Sequence, residues 1–181
     1  MSIRDTDRGY GVVSRVLHWT MAVAIFAMFA LGYWMVGLDY YSPYYTSAPD
    51  LHRSVGILLV VALAGRLAWR MANVKPDDRE LTPFERRAAA AVHWGFYPLL
   101  LALSISGYFI STLDGRGIDV FGLFTVPSIL EYKGWESAAG LIHEILAYAT
   151  MFVALVHSLA AVKHHIIDKH PTLSRMWSGP A

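Results

Sequence analysis

Four long stretches without charged residues alternate along the chain with polar connections. The first runs from Val16 to Leu38, 23 uncharged residues in a row, and two others run from Ala88 to Leu113 and from Ile145 to Val162. Between them, residues 54–65 form a shorter uncharged stretch. A helix needs about 20 apolar residues to cross a bilayer. The pattern therefore predicts four membrane spans, at about residues 15–38, 51–71, 88–113 and 138–165.

The polar connections contain signals for helix ends and loops. Thr82-Pro83-Phe84-Glu85 predicts a helix start, with Thr82 as N-cap, Pro83 at the first helical position and Glu85 at the third. Pro98 predicts a bend in the third span. Residues 39–50 and 114–135 predict loops on one side, and the second is too long for a simple turn.

Composition places the chain among small polytopic membrane proteins. Hydrophobic residues make up 55% of it and charged residues 16%, whereas about 25% of a typical soluble domain is charged. We expect an all-α integral membrane four-helix bundle, a single domain over residues 1–181, with no signal peptide and no nucleic-acid partner. The chain has no cysteine, which excludes disulfides, iron–sulfur clusters and thioether-linked haem.

The distribution of positive charge predicts the topology. If the four spans alternate in direction, 12 of the 15 Lys and Arg residues fall on the side that holds both termini. They are Arg4, Arg8, Arg15, Arg66, Arg70, Lys75, Arg79, Arg86, Arg87, Lys163, Lys169 and Arg175. Cytoplasmic loops carry the excess of Lys and Arg in membrane proteins. Both termini are therefore predicted to face the cytoplasm.

The fourth span carries two histidines whose spacing is informative. His143 and His157 are 14 residues apart, which is ~21 Å along a helix and about 40° short of four full turns. Both side chains therefore point to nearly the same face, one towards each end of a bilayer core about 30 Å thick. This arrangement predicts one helix that offers a ligand to each of two stacked metal cofactors.

The predicted topology gives each of these histidines a partner at its own depth. His18 begins span one and His157 lies near the end of span four, so both are at the cytoplasmic level. His52 and His143 begin their spans on the opposite side. Each pair draws on two helices, as ligation of a haem iron by two neutral imidazoles requires. The histidines therefore predict two haem sites.

Other interpretations of the histidines stay open at this point. A single histidine at a membrane interface is commonly a polar anchor. Zinc or copper also bind imidazole, but two levels ~20 Å apart are too far for one ion. A proton relay would need acidic groups, and the four predicted spans contain no Asp or Glu except Glu144, near one end of span four. A membrane scaffold or metal transporter without haem is the remaining alternative.

Further candidates surround the predicted ligands. Arg66 follows His52 by 14 residues, so it shares that face at the cytoplasmic level and can contact a propionate or a quinone oxygen. Arg53 is a second candidate propionate contact. A quinone site is predicted from four residues on the cytoplasmic side: Arg70, His93, Tyr97 and His164. The alternative for Arg66, Arg70 and His93 is that they anchor the helices at the membrane interface.

On these residues the chain resembles the bacterial cytochrome b561 family of four-helix dihaem membrane cytochromes. It is more distantly similar to the cytochrome b subunits of nickel–iron hydrogenases and formate dehydrogenases. The resemblance covers about residues 10–177 and rests on an ordered set: His18-Trp19, His52, Arg66, Arg70, His93-x-x-x-Tyr97, His143-Glu144, His157, His164-His165 and Thr172-Leu-x-Arg175-Met176.

The resemblance implies two noncovalently bound haem b groups, with His18, His52, His143 and His157 as ligands to the iron. A small stand-alone relative acts as a superoxide oxidase, so the resemblance implies a superoxide:ubiquinone oxidoreductase of the bacterial inner membrane. The alternative is a nonenzymatic subunit or carrier that serves a periplasmic dehydrogenase, hydrogenase or soluble cytochrome.

The charge on the predicted periplasmic side bears on this choice. Its basic residues are Arg53, Arg116 and Lys133, set against seven acidic ones: Asp39, Asp50, Asp114, Asp119, Glu131, Glu136 and Glu144. This balance is unfavourable for attracting an anion such as superoxide.

Overall fold

The structure, a computed structural model, describes residues 2–78 and 81–178. Its four long helices are α1 (Val12–Val36), α2 (Ser47–Met71), α3 (Pro83–Thr112) and α4 (Glu136–Ile166). All four are long and apolar enough to cross a membrane. The predicted all-α class is confirmed, because these are the helices that a membrane four-helix bundle requires. Arg79, counted above among the cytoplasmic cations, lies outside the described residues.

Helix α3 begins with the predicted capping box. The Thr82 N–H donates to the Glu85 carboxylate over 3.1 Å, and the Glu85 N–H donates to the Thr82 hydroxyl over 3.3 Å. Pro83 occupies the first helical position, where its missing N–H costs nothing. The helix then continues through Pro98 to Thr112.

The predicted loop between α3 and α4 contains a small antiparallel hairpin. Strand β1 (Ile118–Val120) pairs with β2 (Phe124–Val126). Phe121 and Gly122 turn the chain with φ angles of 55° and 71°, the left-handed backbone of tight hairpin turns. The hairpin is therefore an ordered addition that the hydropathy pattern did not predict.

The chain divides into two compact units. Unit 1 comprises Met1–Ala22, Ala62–Pro98 and Thr150–Ala181, and unit 2 comprises Val23–Val61 and Leu99–Ala149. Each unit contains one part of each of the four long helices. The predicted ligands divide between the units as well, with His18 and His157 in unit 1 and His52 and His143 in unit 2.

Unit 1 also contains the segments that precede α1 and follow α4. The carboxylate of buried Asp5 accepts hydrogen bonds from the Gly11 N–H and the Ser14 hydroxyl, both over 2.7 Å. A short helix, α5 (Thr172–Trp177), follows α4. The Trp19 indole N–H donates to the Met176 carbonyl over 3.0 Å. These contacts order the entry to α1, where His18 lies.

In unit 2, the hairpin and its flanking loop are attached to the helices by hydrogen bonds. The Ser54 side chain of α2 accepts from the Phe121 N–H over 3.2 Å. The Tyr108 hydroxyl of α3 donates to the Pro127 carbonyl over 2.6 Å. Ser128 donates to the Thr112 carbonyl over 2.8 Å. The long loop is therefore held against the ends of α2 and α3.

Candidate cofactor site

Unit 1 brings His18 of α1 beside His157 of α4. The ring centroids are 6.2 Å apart and the ring planes lie at 66°. Both side chains are half-buried. These are the two histidines that the predicted topology placed at one depth, and they come from helices far apart in sequence.

Unit 2 contains a second pair with nearly the same geometry. His52 of α2 and His143 of α4 have centroids 6.2 Å apart and ring planes at 75°. Both side chains are again half-buried. Helix α4 therefore contributes one histidine to each pair, and α1 and α2 contribute the other two.

The spacing of both pairs fits two imidazoles on opposite sides of one metal ion. A metal–imidazole bond is about 2.0 Å long and the ring centre lies roughly 1.1 Å beyond the nitrogen, so the two centroids are roughly 6 Å apart across the ion. His93 of α3 lies closer to His157, with a centroid distance of 5.2 Å. That spacing is a direct ring contact, so His93 is a neighbour of the pair rather than an alternative ligand.

The surroundings of His143 favour a metal ligand. Its Nδ1 lies 2.9 Å from the Leu103 carbonyl and 3.2 Å from the Ser106 hydroxyl. A carbonyl only accepts, so the proton is on Nδ1 and the lone pair of Nε2 is left free. A histidine that binds a metal usually donates its other ring N–H in this way, which fixes the ring and raises its basicity as a ligand.

Two glycines leave space for the histidine rings of unit 2. A Cβ atom on Gly107 would lie 2.8 Å from Cε1 of His143, and one on Gly32 would lie 3.2 Å from Cε1 of His52. Any larger residue at either position would push the ring away. Small residues in membrane helices usually allow close helix packing, but these two make room for side chains.

His52 differs from His143 in its second ring nitrogen. Nδ1 of His52 is buried and has no hydrogen-bond partner within the residues that the structure describes. Burying such a group without a partner costs about 1–3 kcal/mol. The ring is therefore held in place by packing, including its contact with Gly32, rather than by a hydrogen bond.

Arg66 contacts the unit 1 pair directly. Its Nη2 lies 3.0 Å from Nδ1 of His18. A guanidinium has only donors, so Nδ1 accepts in this contact and the ring proton lies on Nε2. A histidine protonated on Nε2 cannot bind a metal through that atom. Ligation by His18 therefore requires Arg66 to turn away from the ring, and a carboxylate is the partner that a guanidinium prefers.

The other predicted residues have varied surroundings. Arg53 forms an ion pair with Asp50 at the start of α2. The Tyr97 ring packs 5.7 Å from Trp94. His164 Nδ1 lies 2.7 Å from a carboxylate oxygen of Asp168. His93, in contrast, packs its ring against the ring of His157. The structure therefore brings this member of the predicted quinone set into contact with a predicted haem ligand.

Three further contacts of the histidines were not predicted. Phe96 packs against His157 with centroids 5.8 Å apart, and Leu103 and Ser106 contact His143 as described. A serine in an apolar helix is a weak signal for a polar partner, because most such hydroxyls bond to their own helix backbone. Ser104 does so, donating to the Leu100 carbonyl over 2.8 Å.

Comparison with known proteins decides the family. The model of the prokaryotic cytochrome b561 family matches residues 9–179. The chain belongs to the prokaryotic cytochrome b561 family. This result confirms the resemblance that was based on the ordered set of histidines and arginines. The chain is therefore a membrane electron-transfer protein of a haem b family.

Three curated proteins are similar to this family member in sequence. It is 46% identical to cytochrome b561 homolog 2 of Escherichia coli, over 97% of this chain and 95% of that protein. It is 27% identical to cytochrome b561 homolog 1 of the same organism, over 88% of this chain and 92% of that protein. It is 32% identical to the probable superoxide oxidase CybB of Yersinia pestis, over 70% of this chain and 72% of that protein.

Proposed function

We propose that this family member carries electrons across the bacterial inner membrane, between a periplasmic redox partner and the quinone pool, through two haem b groups. The observation that carries the proposal is the repeated histidine pair. Each unit contains two half-buried rings 6.2 Å apart, and α4 supplies one ring to each pair. The whole chain, residues 1–181, acts as one membrane cytochrome domain with both termini in the cytoplasm.

The four histidines are proposed as the residues that would bind the irons of two haem groups. His18 and His157 hold the group near the cytoplasmic side, and His52 and His143 hold the group near the periplasmic side. Noncovalent haem b supplies one-electron redox chemistry when bound. The chain fixes the ligand rings: the Leu103 carbonyl sets the tautomer of His143, and glycines give two rings their space.

Arginines are proposed to neutralise the propionates. Arg66 would exchange the His18 ring for a propionate of a bound haem. The ring proton of His18 could then move from Nε2 to Nδ1, which would leave the Nε2 lone pair available to the iron. This exchange is supported by the donor-only chemistry of the guanidinium beside His18. Arg53 is the candidate propionate contact on the outer side. To make that contact, it would have to exchange its present partner, the Asp50 carboxylate, for the propionate.

Quinone is proposed to bind on the cytoplasmic side of the chain. His93 is the best supported residue of the predicted quinone set, because its ring touches His157. Arg70, Tyr97 and His164 complete that set. Reduction of a quinone takes up two electrons and two protons, so a site that combines imidazoles with a cation suits both charge changes.

The most specific version of the proposed function is that of a superoxide:ubiquinone oxidoreductase. Two superoxide ions are each oxidised to dioxygen, and the two electrons together with two protons reduce one ubiquinone to ubiquinol. Support comes from the relative named a probable superoxide oxidase, which is 32% identical over 70% of this chain.

One observation favours the second candidate, a carrier for a periplasmic redox protein. Two of the three cations on the predicted outer side are paired with carboxylates: Arg53 with Asp50, and Arg116 with Asp114 over 2.5 Å. The bond from Arg116 lowers the pKa of Asp114, so this carboxylate is ionised at neutral pH. Paired cations attract an anion weakly.

Spectroscopy tests the proposal first. Purified protein is expected to show a b-type reduced-minus-oxidised spectrum and two haems per chain, and His52→Ala should keep the haem of the other pair. Stopped-flow mixing with superoxide and ubiquinone then separates the two functions. Haem reduction by superoxide that is no faster than in His52→Ala would leave only the carrier function, and a chain without haem would overturn both.

A further inference from the structure

The chain folds back on itself directly after α4 and brings His170 to His164. Lys169 adopts the left-handed backbone with φ of 57°, a conformation that commonly follows the last turn of a helix. The His170 N–H donates to the His164 carbonyl over 2.8 Å. The two imidazole rings stack with centroids 6.1 Å apart and planes 13° apart. This helix ending therefore brings one histidine ring onto the other.

A carboxylate completes this cluster. Asp168 accepts from His164 Nδ1 over 2.7 Å. One possible ligand atom from each of His164, Asp168 and His170 lies within 4.8 Å of the other two. At that spacing the three donor atoms can share one ion. All three residues are half-buried, so solvent can deliver an ion to them.

An ordinary ion-pair network accounts for only part of this arrangement. The Asp168 carboxylate also accepts from the Lys163 ammonium over 2.7 Å, and Lys163 in turn contacts Glu85 over 2.8 Å. His170 takes no part in that network. Its Nδ1 is buried and has no hydrogen-bond partner within residues 2–78 and 81–178. The turn therefore brings to His164 a ring nitrogen that has no partner in the described part of the chain.

We propose that His164, Asp168 and His170 form a binding site for a divalent transition-metal ion of the zinc type. Two imidazoles and one carboxylate are a donor set that zinc uses, with the fourth position left to water. The Asp168 carboxylate already acts as an acceptor here, since it takes hydrogen bonds from both His164 and Lys163 over 2.7 Å. When Asp168 turns to the metal, Lys163 keeps Glu85 as its partner.

The site is separate from the four predicted haem ligands, so failure of Zn²⁺ binding can be told apart from failure of haem binding. It does use His164, which the quinone prediction also uses. A metal ion at this cluster is therefore expected to slow quinone reduction, while the haem spectrum stays unchanged.

Calorimetry with Zn²⁺ on tag-free, haem-loaded protein in detergent tests the proposal. We expect one Zn²⁺ per chain, with affinity reduced tenfold or more in both His170→Gln and Asp168→Asn. The matched control is His165→Gln, an exposed neighbour on the same helix, which should bind as the unmodified protein does. The haem spectrum of each variant shows that it has folded.

X-ray absorption spectroscopy at the zinc K-edge supplies a second measurement. The one-to-one complex should show two imidazole nitrogens in the zinc shell, and His170→Gln should lose one. The proposal is overturned if the unmodified protein takes up no Zn²⁺ at micromolar concentration. It is equally overturned if His170→Gln and Asp168→Asn both bind Zn²⁺ with unchanged affinity, because the ion would then lie elsewhere.

Discussion

At the scale of single residues, Gly107 tests whether the outer histidine pair binds a haem. In Gly107→Ala the new Cβ would lie 2.8 Å from Cε1 of His143, so the His143 ring must shift from its present position. We expect the haem content to fall from two per chain towards one, measured by pyridine haemochrome assay. Gly140→Ala is the control, since nothing lies within 4 Å of its Cβ. A Gly107→Ala protein with both haems and an unchanged spectrum would contradict the assignment.

Arg66 gives a second test at this scale. Its cation beside the inner ligands should favour the reduced haem, which carries one positive charge less than the oxidised haem. In Arg66→Gln the reduction potential of one haem should therefore fall by something on the order of tens of millivolts, measured by spectroelectrochemical titration. Arg66→Lys keeps the charge and should restore most of the difference. Equal potentials in all three proteins would mean that Arg66 acts elsewhere.

Some of the residue contacts could be expected from the sequence and others could not. The pairing of His18 with His157 and of His52 with His143 was predicted from depth alone, because helix rise converts sequence position into depth. The Leu103 carbonyl beside His143 could not be predicted. Which backbone atom a ring meets depends on the rotation of α3 about its axis, and a nearly all-apolar helix carries little information about rotation.

At the scale of elements, the hydropathy pattern predicted the four long helices but not the structure of the segments between them. The four spans follow from physical length, since a bilayer core of about 30 Å sets a minimum. The hairpin at 118–126 has strands of three residues each, too short to produce a recognisable alternation. It depends on a tertiary contact, the Ser54 side chain at its turn, which no local pattern encodes.

The capping box of α3 is the element whose contribution is most directly testable. Thr82→Ala removes the hydroxyl that accepts from the Glu85 N–H, and loss of such a cap costs about 1 kcal/mol. We expect the temperature of haem loss on heating to fall by a few degrees, followed by absorbance at the Soret band. Thr82→Ser keeps the hydroxyl and should behave as the unmodified protein. A Thr82→Ala protein of unchanged thermal stability would show that the cap contributes little in a membrane setting.

At the scale of the whole molecule, α4 is the element common to both proposed haem sites. It supplies His143 to unit 2 and His157 to unit 1, so both sites depend on this one helix. The two sites are not equivalent in charge. His143 donates to a carbonyl, whereas His18 lies beside a guanidinium. Both differences favour the reduced state at the proposed site in unit 1, so we expect electrons to pass from the proposed site in unit 2 to the one in unit 1.

The direction of that flow across the membrane depends on the topology, which can be tested on the whole chain. With 12 of 15 basic residues on the side of the termini, moving that side across the membrane would be opposed. A fluorescent protein fused after Ala181 should therefore fluoresce, and alkaline phosphatase fused at the same position should be inactive. Phosphatase fused after Asp50, behind span one, should be active. The reverse pattern would place His18 and His157 on the periplasmic side, and the proposed electron path would then lead towards the periplasm.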